Sequence, residues 1–422
     1  MRVHTAAAIA AAASAAAVVV WAPVVTPATA QSPFLSAPRT VGTDATPPSA
    51  TFTRPPLAEA RLDAAYGSTV RRLTTATTAG GGGGIIDSPR TRVENADGTL
   101  FLARTKDTYA AYAVADGSLV AALPADARKG NPSWHPSDAA TVWYVESRSA
   151  KSPAPELRRF NVRTLAAGVA AGGAGSAIRG GLLAAYPAAT AISTGSAGGG
   201  FSADGARHAW AVWSKTHLLG LIAVDVPADA VLGTASSPER GQLAEVSVSP
   251  SGEHVVVAWF EGTYVYDTAG MGGERLIHTR AELGAVVAGP PGGADVWVQS
   301  NLLSSTRNGG WLEAVDLATS ARARLIDLFA AGTSVQVSGG AVGVPGWALV
   351  STSGCKTPGA WTCNKLLAVN VASAVAVHLA HTHHCGGGGG GCAQRGCQTQ
   401  TSPAFTSRLT RACAGGRGRY TP

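Results

Sequence analysis

A cluster of four histidines in residues 377–384 is the part of the sequence most suited to chemistry. Alternate positions of an extended strand share one side, so His381 and His383 could chelate one divalent metal ion. Gln398 or Gln400 could add an oxygen ligand. The alternative is an exposed polar loop, because no carboxylate follows in the rest of the chain.

The six cysteines form a second candidate group. Cys355 and Cys363 flank a Pro-Gly turn that could bring their Cα atoms within bridging distance, which predicts a disulfide that staples a hairpin. The remaining cysteines are Cys385, Cys392, Cys397 and Cys413, beside a run of glycines. Their pairing cannot be deduced from sequence, and a zinc site there would match none of the usual ligand spacings.

Other common catalytic motifs are absent from the sequence. It contains no G-x-S-x-G elbow, no Walker loop and no H-E-x-x-H motif. The glycine runs at residues 80–84 and 386–391 lack the lysine and the strand-helix setting of a phosphate-binding loop, which favours flexible loops.

The net charge of +7 is distributed in a way that argues against nucleic acid as a partner. All seven excess positive charges follow Asp327, the last acidic residue, and they are spread thinly along the chain. Binding to nucleic acid needs basic residues clustered on a folded face. Charged residues make up only 14% of the chain, which excludes a highly charged disordered protein.

The first 30 residues have the features of a secretory signal peptide. Arg2 precedes an apolar block from Ala6 to Trp21, and the small residues 28–30 form an A-x-A cleavage site before Gln31. The alternatives are a transit peptide or an uncleaved anchor. No other apolar run reaches the roughly 20 residues that span a bilayer, so we expect the mature chain to be secreted, extracellular or periplasmic, with no transmembrane span.

The central part of the chain is repetitive. A turn containing Asp-Gly, Ser-Gly or Ser-Asp leads into a short run of β-branched and aromatic residues, at a mean step of roughly 50 residues. The clearest turns lie at residues 95–98, 134–138, 201–205, 248–252 and 289–293. Each unit has a second half in which a short strand ends in Asp or Asn, as at Asp267. No long segment has sustained helical periodicity, so we expect an all-β fold.

This pattern resembles the TolB-type and WD-like β-propellers, over most of residues 95–379. We therefore expect a β-propeller of six or seven four-stranded blades, with the last blade either complete or lacking strands. The expected organisation is a signal peptide at 1–30, a Pro/Ser/Thr-rich linker at 31–65, the propeller at 66–384 and a Gly/Cys/Arg-rich low-complexity tail at 385–422. Seven tryptophans at or near strand starts should pack between blades, namely Trp134, Trp143, Trp210, Trp213, Trp259, Trp297 and Trp347.

A narrower resemblance joins the chain to secreted bacterial propellers of unassigned function. It rests on residues 67–74, 95–99 and 131–136, and on Val337-Ser338-Gly339 followed by residues 345–351. That group is similar to the propeller oligogalacturonate lyases, whose channel histidines and glutamine hold a divalent metal. The resemblance would give His381 and His383 a metal-binding role, with Mn or Ca as the ion.

Two functions follow from these resemblances. We favour an exported, monomeric binding or scaffold module for a protein or carbohydrate ligand, without enzymatic activity or cofactor, because a shared fold does not by itself establish chemistry. The alternative is a metal-dependent polysaccharide lyase that cleaves uronic-acid sugars by β-elimination.

Overall fold

The computed structural model describes residues 39–40, 59–63, 68–73, 93–105, 107–146, 155–166, 176–177, 180–195, 200–215, 217–236, 240–279, 284–300, 310–327, 334–339, 344–353, 365–381 and 408–411. The chain separates into two compact units, residues 1–30 and 31–422, and all of the described residues belong to the second unit.

Six antiparallel sheets, the blades, follow one another along the second unit. Three strands precede the first blade in the sequence: β1 (Arg39–Thr40), β2 (Ala60–Asp63) and β3 (Ser68–Arg72). Blade 1 contains β4 (Leu100–Arg104), β5 (Tyr109–Ala113) and β6 (Leu119–Ala122). Blade 2 contains β7 (Ser133–Trp134), β8 (Thr141–Glu146), β9 (Glu156–Asn161) and β10 (Ser176–Ala177). Blade 3 contains β11 (Ala191–Ser193), β12 (Arg207–Ser214), β13 (His217–Asp225) and β14 (Ala230–Ala235).

The next three sheets repeat this arrangement. Blade 4 contains β15 (Leu243–Val248), β16 (His254–Trp259), β17 (Gly262–Asp267) and β18 (Arg275–His278). Blade 5 contains β19 (Ala285–Val287), β20 (Val296–Ser300), β21 (Trp311–Asp316) and β22 (Arg322–Asp327). Blade 6 contains β23 (Ser334–Ser338), β24 (Trp347–Ser353), β25 (Lys365–Asn370) and β26 (Ala376–His381). Within each blade the strands pair in chain order, which confirms the predicted all-β propeller of six or seven blades. The described residues form six blades, and blade 1 has three strands among them rather than the predicted four.

Helical structure is sparse in the described part of the chain. It comprises a 3₁₀ turn at Ala125–Lys129, α1 (Val162–Ala166) and α2 (Gly180–Ala185). No helix among the described residues is long and apolar enough to span a bilayer.

Additional strands join the two ends of the chain to the blades. β1 pairs with β26 and gives blade 6 a fifth strand. A further strand near the C-terminus, β27 (Arg408–Arg411), pairs in parallel with β3, and β2, β3 and β27 form a three-stranded sheet. Leu73, directly after β3, is buried against the face of blade 1 that points away from blade 2. Thus β1 and β2 lie in the predicted linker, and β27 lies in the predicted tail.

The two ends of each blade carry different connections between strands. The turn end carries the turns that join the first strand to the second and the third to the fourth, such as residues 249–253 in blade 4. The hairpin end carries the hairpins between second and third strands, such as residues 259–262, and the connections between blades.

The repeated Asp and Asn side chains stabilise the turns at the turn end by accepting hydrogen bonds from backbone N–H groups. Asp97 accepts the Thr99 N–H at 3.0 Å. Asp316 accepts the N–H groups of Ala318 and Thr319 at 2.9 and 2.7 Å. The same arrangement recurs at Asp116, Asp138, Asn161, Asp204, Asp225 and Asn370. These side chains satisfy turn N–H groups that no strand can pair, so the repeated motif has a structural role.

Arginines link neighbouring blades through backbone carbonyls. Arg207 of blade 3 donates to the Gly252 carbonyl of blade 4 at 2.8 Å. Arg275 of blade 4 donates to two carbonyls of the blade 5 turn at 2.7 and 2.6 Å. Arg322 of blade 5 donates back to the Ile277 carbonyl at 2.8 Å. Charge-assisted hydrogen bonds of this kind fix the spacing of successive blades.

The core lies between the blades, and tryptophans occupy much of it. The fully buried ones are Trp134, Trp210, Trp259 and Trp297. Trp259 packs in the cluster shared by blades 3 and 4, and Trp297 in the cluster shared by blades 4 and 5. Packing between blades is therefore confirmed for these four and for Trp143, which is buried in the cluster shared by blades 2 and 3, whereas Trp213 and Trp347 are half-buried.

Candidate binding surface at the hairpin end of blade 4

The histidines proposed as metal ligands fall at the edge of the described chain. His381 is the last residue of β26, the fourth strand of blade 6, and pairs in register with Lys365. His383 lies outside the described residues, as do Gln398 and Gln400. Among the described residues, no group of three or more His, Cys, Asp or Glu side chains could hold a metal ion. The His381 and His383 site stays a prediction.

The predicted disulfide also falls outside the described residues. Cys355 and Cys363 both lie in the segment 354–364, between β24 and β25 of blade 6. The pairing of these two cysteines stays a prediction.

An ion cluster lies at the hairpin end of blade 2. The Arg158 guanidinium contacts the carboxylates of Glu146 and Glu156, which are both buried. Burial raises the pKa of Glu146, although the positive charge of Arg158 opposes that effect. Because the guanidinium contacts both carboxylates, this cluster joins β8 to β9 and has the character of a structural ion pair.

Two large apolar side chains are exposed together at the hairpin end of blade 4. Phe260, in the hairpin between β16 and β17, is 69% exposed, and Leu276 of β18 is 49% exposed. The Phe260 N–H donates to the Gln242 carbonyl at 2.9 Å, which ties the hairpin to the segment entering blade 4. A Cβ at Gly262 would lie 2.9 Å from Leu276 Cδ1, so glycine allows Leu276 to lie against the hairpin.

A polar group adjoins these apolar side chains. Arg240 lies over the ring of Tyr264, with its Cζ 3.8 Å from the ring centroid, in a cation–π contact. Glu274 accepts hydrogen bonds from Arg240 Nη2 at 2.6 Å and from the Tyr266 hydroxyl at 2.7 Å. Burial alone would raise the pKa of Glu274, but these two hydrogen bonds and the positive charge of Arg240 together outweigh it and lower the pKa. Tyr264 is paired in register with Leu276, so the polar and apolar groups are neighbours. Glu274 itself lies in the turn just before β18, so the polar group extends from the hairpin end toward the turn end.

These five residues, Phe260, Leu276, Tyr264, Arg240 and Glu274, are called here the blade 4 patch. Their side chains offer an apolar surface, an aromatic ring held by a guanidinium, and a carboxylate. Tyrosine and arginine are common at the centres of binding interfaces, and aromatic rings stack on sugars as well as on apolar side chains. The patch is therefore suited to binding and lacks a nucleophile with an adjacent base.

Sequence reasoning missed the blade 4 patch. It assigned Trp259 to the core and gave no role to Phe260. A signal was present, because successive side chains of a strand point to opposite faces. Two adjacent aromatics beside a turn glycine cannot both enter one inter-blade core, so one of them had to be directed elsewhere.

Comparison with known proteins gives likenesses of fold. No protein-family model and no curated protein sequence matches the chain. It is similar to an oligogalacturonate lyase solved in complex with manganese, at 13% identity over 76% of this chain and 84% of that one, with a TM-score of 0.49. An oligogalacturonate lyase from Vibrio parahaemolyticus gives 12% identity over the same shares and a TM-score of 0.47. A putative TolB from Agrobacterium tumefaciens gives 13% identity over 64% of this chain and 90% of that one, with a TM-score of 0.39. The six blades of the structure make the chain a β-propeller, and its distant similarity to the TolB type is one of fold alone.

Proposed function

We propose that this chain is an exported β-propeller that serves as a binding or scaffold module for a protein or carbohydrate ligand, which docks on the blade 4 patch. The observation that carries the proposal is the joint exposure of Phe260 and Leu276 at one hairpin end. Burying a large apolar side chain on binding is worth about 1.5–3 kcal/mol.

The surroundings of the exposed pair support this assignment. Arg240 and Glu274 are already paired with each other, and the Tyr264 ring is held by the guanidinium. A patch whose polar groups are held in place loses little conformational entropy when a ligand binds.

Replacing Phe260 with serine is expected to weaken ligand binding by about tenfold or more, since it removes the most exposed aromatic ring of the patch. The probes are a glycan array that includes oligogalacturonates, and a panel of purified envelope proteins, each applied to the mature chain. Leu119→Ser is the matched control, because Leu119 is 61% exposed but lies on blade 1. Equal losses in both variants, or no loss in Phe260→Ser, would count against the patch.

Oligogalacturonate, one of the probes on the array, also tests the alternative function when its cleavage is measured. We propose the divalent-metal lyase as the second candidate because His381 and His383 stand at alternate positions, which in an extended segment would let both chelate one metal ion. Cleavage of oligogalacturonate that depends on added Mn²⁺ or Ca²⁺, and is lost in His381→Ala, would replace the binding proposal with the lyase. Binding without cleavage would argue against the lyase.

Export is proposed from the first 30 residues, which combine Arg2, an apolar block and an A-x-A site before Gln31. We expect mature protein recovered outside the cytoplasm to begin near Gln31. N-terminal sequencing checks this, and material that begins at Met1 would contradict it.

A further inference from the structure

Four polar residues lie on facing sides of the interface between blades 4 and 5. Gln299 of β20 is directly opposite Glu313 of β21 in the sheet of blade 5. Thr263 of β17 is directly opposite His278 of β18 in the sheet of blade 4. All four are buried.

The apolar neighbours of these residues show that the two pairs face each other. Trp297 is two residues before Gln299, and Val265 is two residues after Thr263, so each shares a strand face with its polar neighbour. Trp297 and Val265 belong to the same buried cluster between blades 4 and 5. The polar pairs therefore extend this interface toward the hairpin end.

Three buried polar atoms in this interface have no hydrogen-bond partner. Gln299 and Thr263 are 0% exposed, and Glu313 is 8% exposed. Within the described part of the chain, Gln299 Nε2, Glu313 Oε2 and Thr263 Oγ1 make no hydrogen bond. The orientation of the Gln299 amide is fixed, because its Oε1 accepts the Trp297 Nε1–H at 2.6 Å.

Leaving such groups unsatisfied is costly. Each buried donor or acceptor without a partner loses the hydrogen bonds that it makes to water in the unfolded chain. Three such losses would offset a large part of the small net stability of a folded domain. The interface therefore needs a further group that satisfies them.

We propose that one ordered water molecule is bound between blades 4 and 5 by Gln299, Glu313 and Thr263. Water can accept from Gln299 Nε2–H, donate to Glu313 Oε2 and bond to the Thr263 hydroxyl, which gives it the two to four polar partners that a buried water needs. The water adds a polar link between the blades at the hairpin end.

A metal ion fits this site less well than water. The oxygen of the Gln299 amide is already bonded to Trp297, so the amide presents N–H donors that repel a cation. A larger ligand is disfavoured because the three residues are almost completely shielded from solvent.

The first test is a high-resolution crystal structure of the mature chain. We expect density for one water within about 2.7–3.2 Å of Gln299 Nε2, Glu313 Oε2 and Thr263 Oγ1. Direct hydrogen bonds among these three side chains, or an anomalous signal from a metal ion at the site, would overturn the proposal.

The second test counts long-lived internal waters in solution by magnetic relaxation dispersion of water oxygen-17. The variants are Thr263→Val, which keeps the side-chain shape, and Glu313→Leu, which removes the carboxylate acceptor. Each substitution replaces a hydrogen-bonding group with an apolar one and leaves the water two partners, fewer than the roughly three that buried waters typically have. We therefore expect each variant that folds to lose one long-lived water relative to the wild type.

Thr141→Val is the matched control for this count. Thr141 is also a buried threonine, but its hydroxyl donates to Asp138 at 2.6 Å in blade 2. It should retain the wild-type number of long-lived waters. An unchanged count in folded Thr263→Val and Glu313→Leu would contradict the proposal.

Discussion

Replacing Gly339 with alanine is expected to lower the free energy of unfolding by about 3 kcal/mol or more, at the upper end of overpacking effects. A Cβ at Gly339 would lie 1.6 Å from the Val286 carbonyl oxygen. Gly339 directly follows β23, the first strand of blade 6, whereas Val286 lies in β19, the first strand of blade 5. Because the obstructing atom belongs to the backbone, relief requires one blade to move against the other.

The matched control for this substitution is Gly272→Ala. A Cβ at Gly272 would meet nothing within 4 Å. Its effect should therefore stay within about 0.5 kcal/mol, as for ordinary surface substitutions. Urea unfolding of the two variants and the wild type gives the comparison. Equal midpoints for Gly339→Ala and Gly272→Ala would show that the blades separate at no cost.

The features that the sequence predicted correctly are local ones. The turn aspartates and the third-strand Asp and Asn residues bind N–H groups two or three residues away, so their pattern is visible in a short window of sequence. The repetition of such windows predicts the blade, and the number of repetitions predicts a ring of six or seven. The structure has six blades, and the strands of each blade pair in chain order.

Contacts between blades could not be predicted in this way. Arg207 and Arg322 reach carbonyls 45 residues away, and Arg275 reaches one 42 residues away. These separations are close to one repeat step, so the partner of each arginine is the next or the preceding blade. No local pattern distinguishes these arginines from exposed ones, because the partner is a backbone carbonyl with no sequence signature.

The blade 4 patch and the polar interface between blades 4 and 5 were missed for a related reason. Alternation along a strand predicts that Thr263 and Val265 share a face, but only the register between neighbouring strands shows which residues oppose them. In blade 4, a register shift between Thr263 and Tyr264 places His278 opposite Thr263 and Leu276 opposite Tyr264. This register shift of one residue thus separates the buried Thr263–His278 pair from Tyr264 and Leu276 of the blade 4 patch.

Acidification is expected to destabilise the protein through His208, which is buried in blade 3. The imidazole lies against Phe201, at 4.1 Å between ring centroids, and stacks on Trp210 at 4.6 Å. Burial lowers the pKa of His208 to about 3, and the hydrogen bond to the Ala209 carbonyl only partly opposes this effect. The folded protein therefore keeps this histidine neutral at pH values where the unfolded chain protonates it.

The direction of the pH dependence follows from proton binding. Below the unfolded-state pKa of about 6.5, the unfolded chain binds a proton that the folded protein excludes, so lowering the pH favours unfolding. The stabilisation should fall by up to about 1.4 kcal/mol per pH unit, or about 2.5 kcal/mol between pH 6.5 and 4.5. The turn carboxylates of Asp97, Asp138 and Asp204 have lowered pKa values, so their contributions are lost at still lower pH.

His208→Phe separates this histidine from the rest of the titration. Phenylalanine keeps an aromatic ring between Phe201 and Trp210 but cannot bind a proton, so the variant should lose about 2.5 kcal/mol less than the wild type between pH 6.5 and 4.5. Urea unfolding at a series of pH values provides the measurement, with His217→Gln, an exposed histidine at the start of β13, as the control. The loss of the Ala209 hydrogen bond shifts the whole curve of the variant, whereas removal of the titrating group changes its slope. Parallel curves for His208→Phe and the wild type would show that the buried imidazole is not the source of the acid sensitivity.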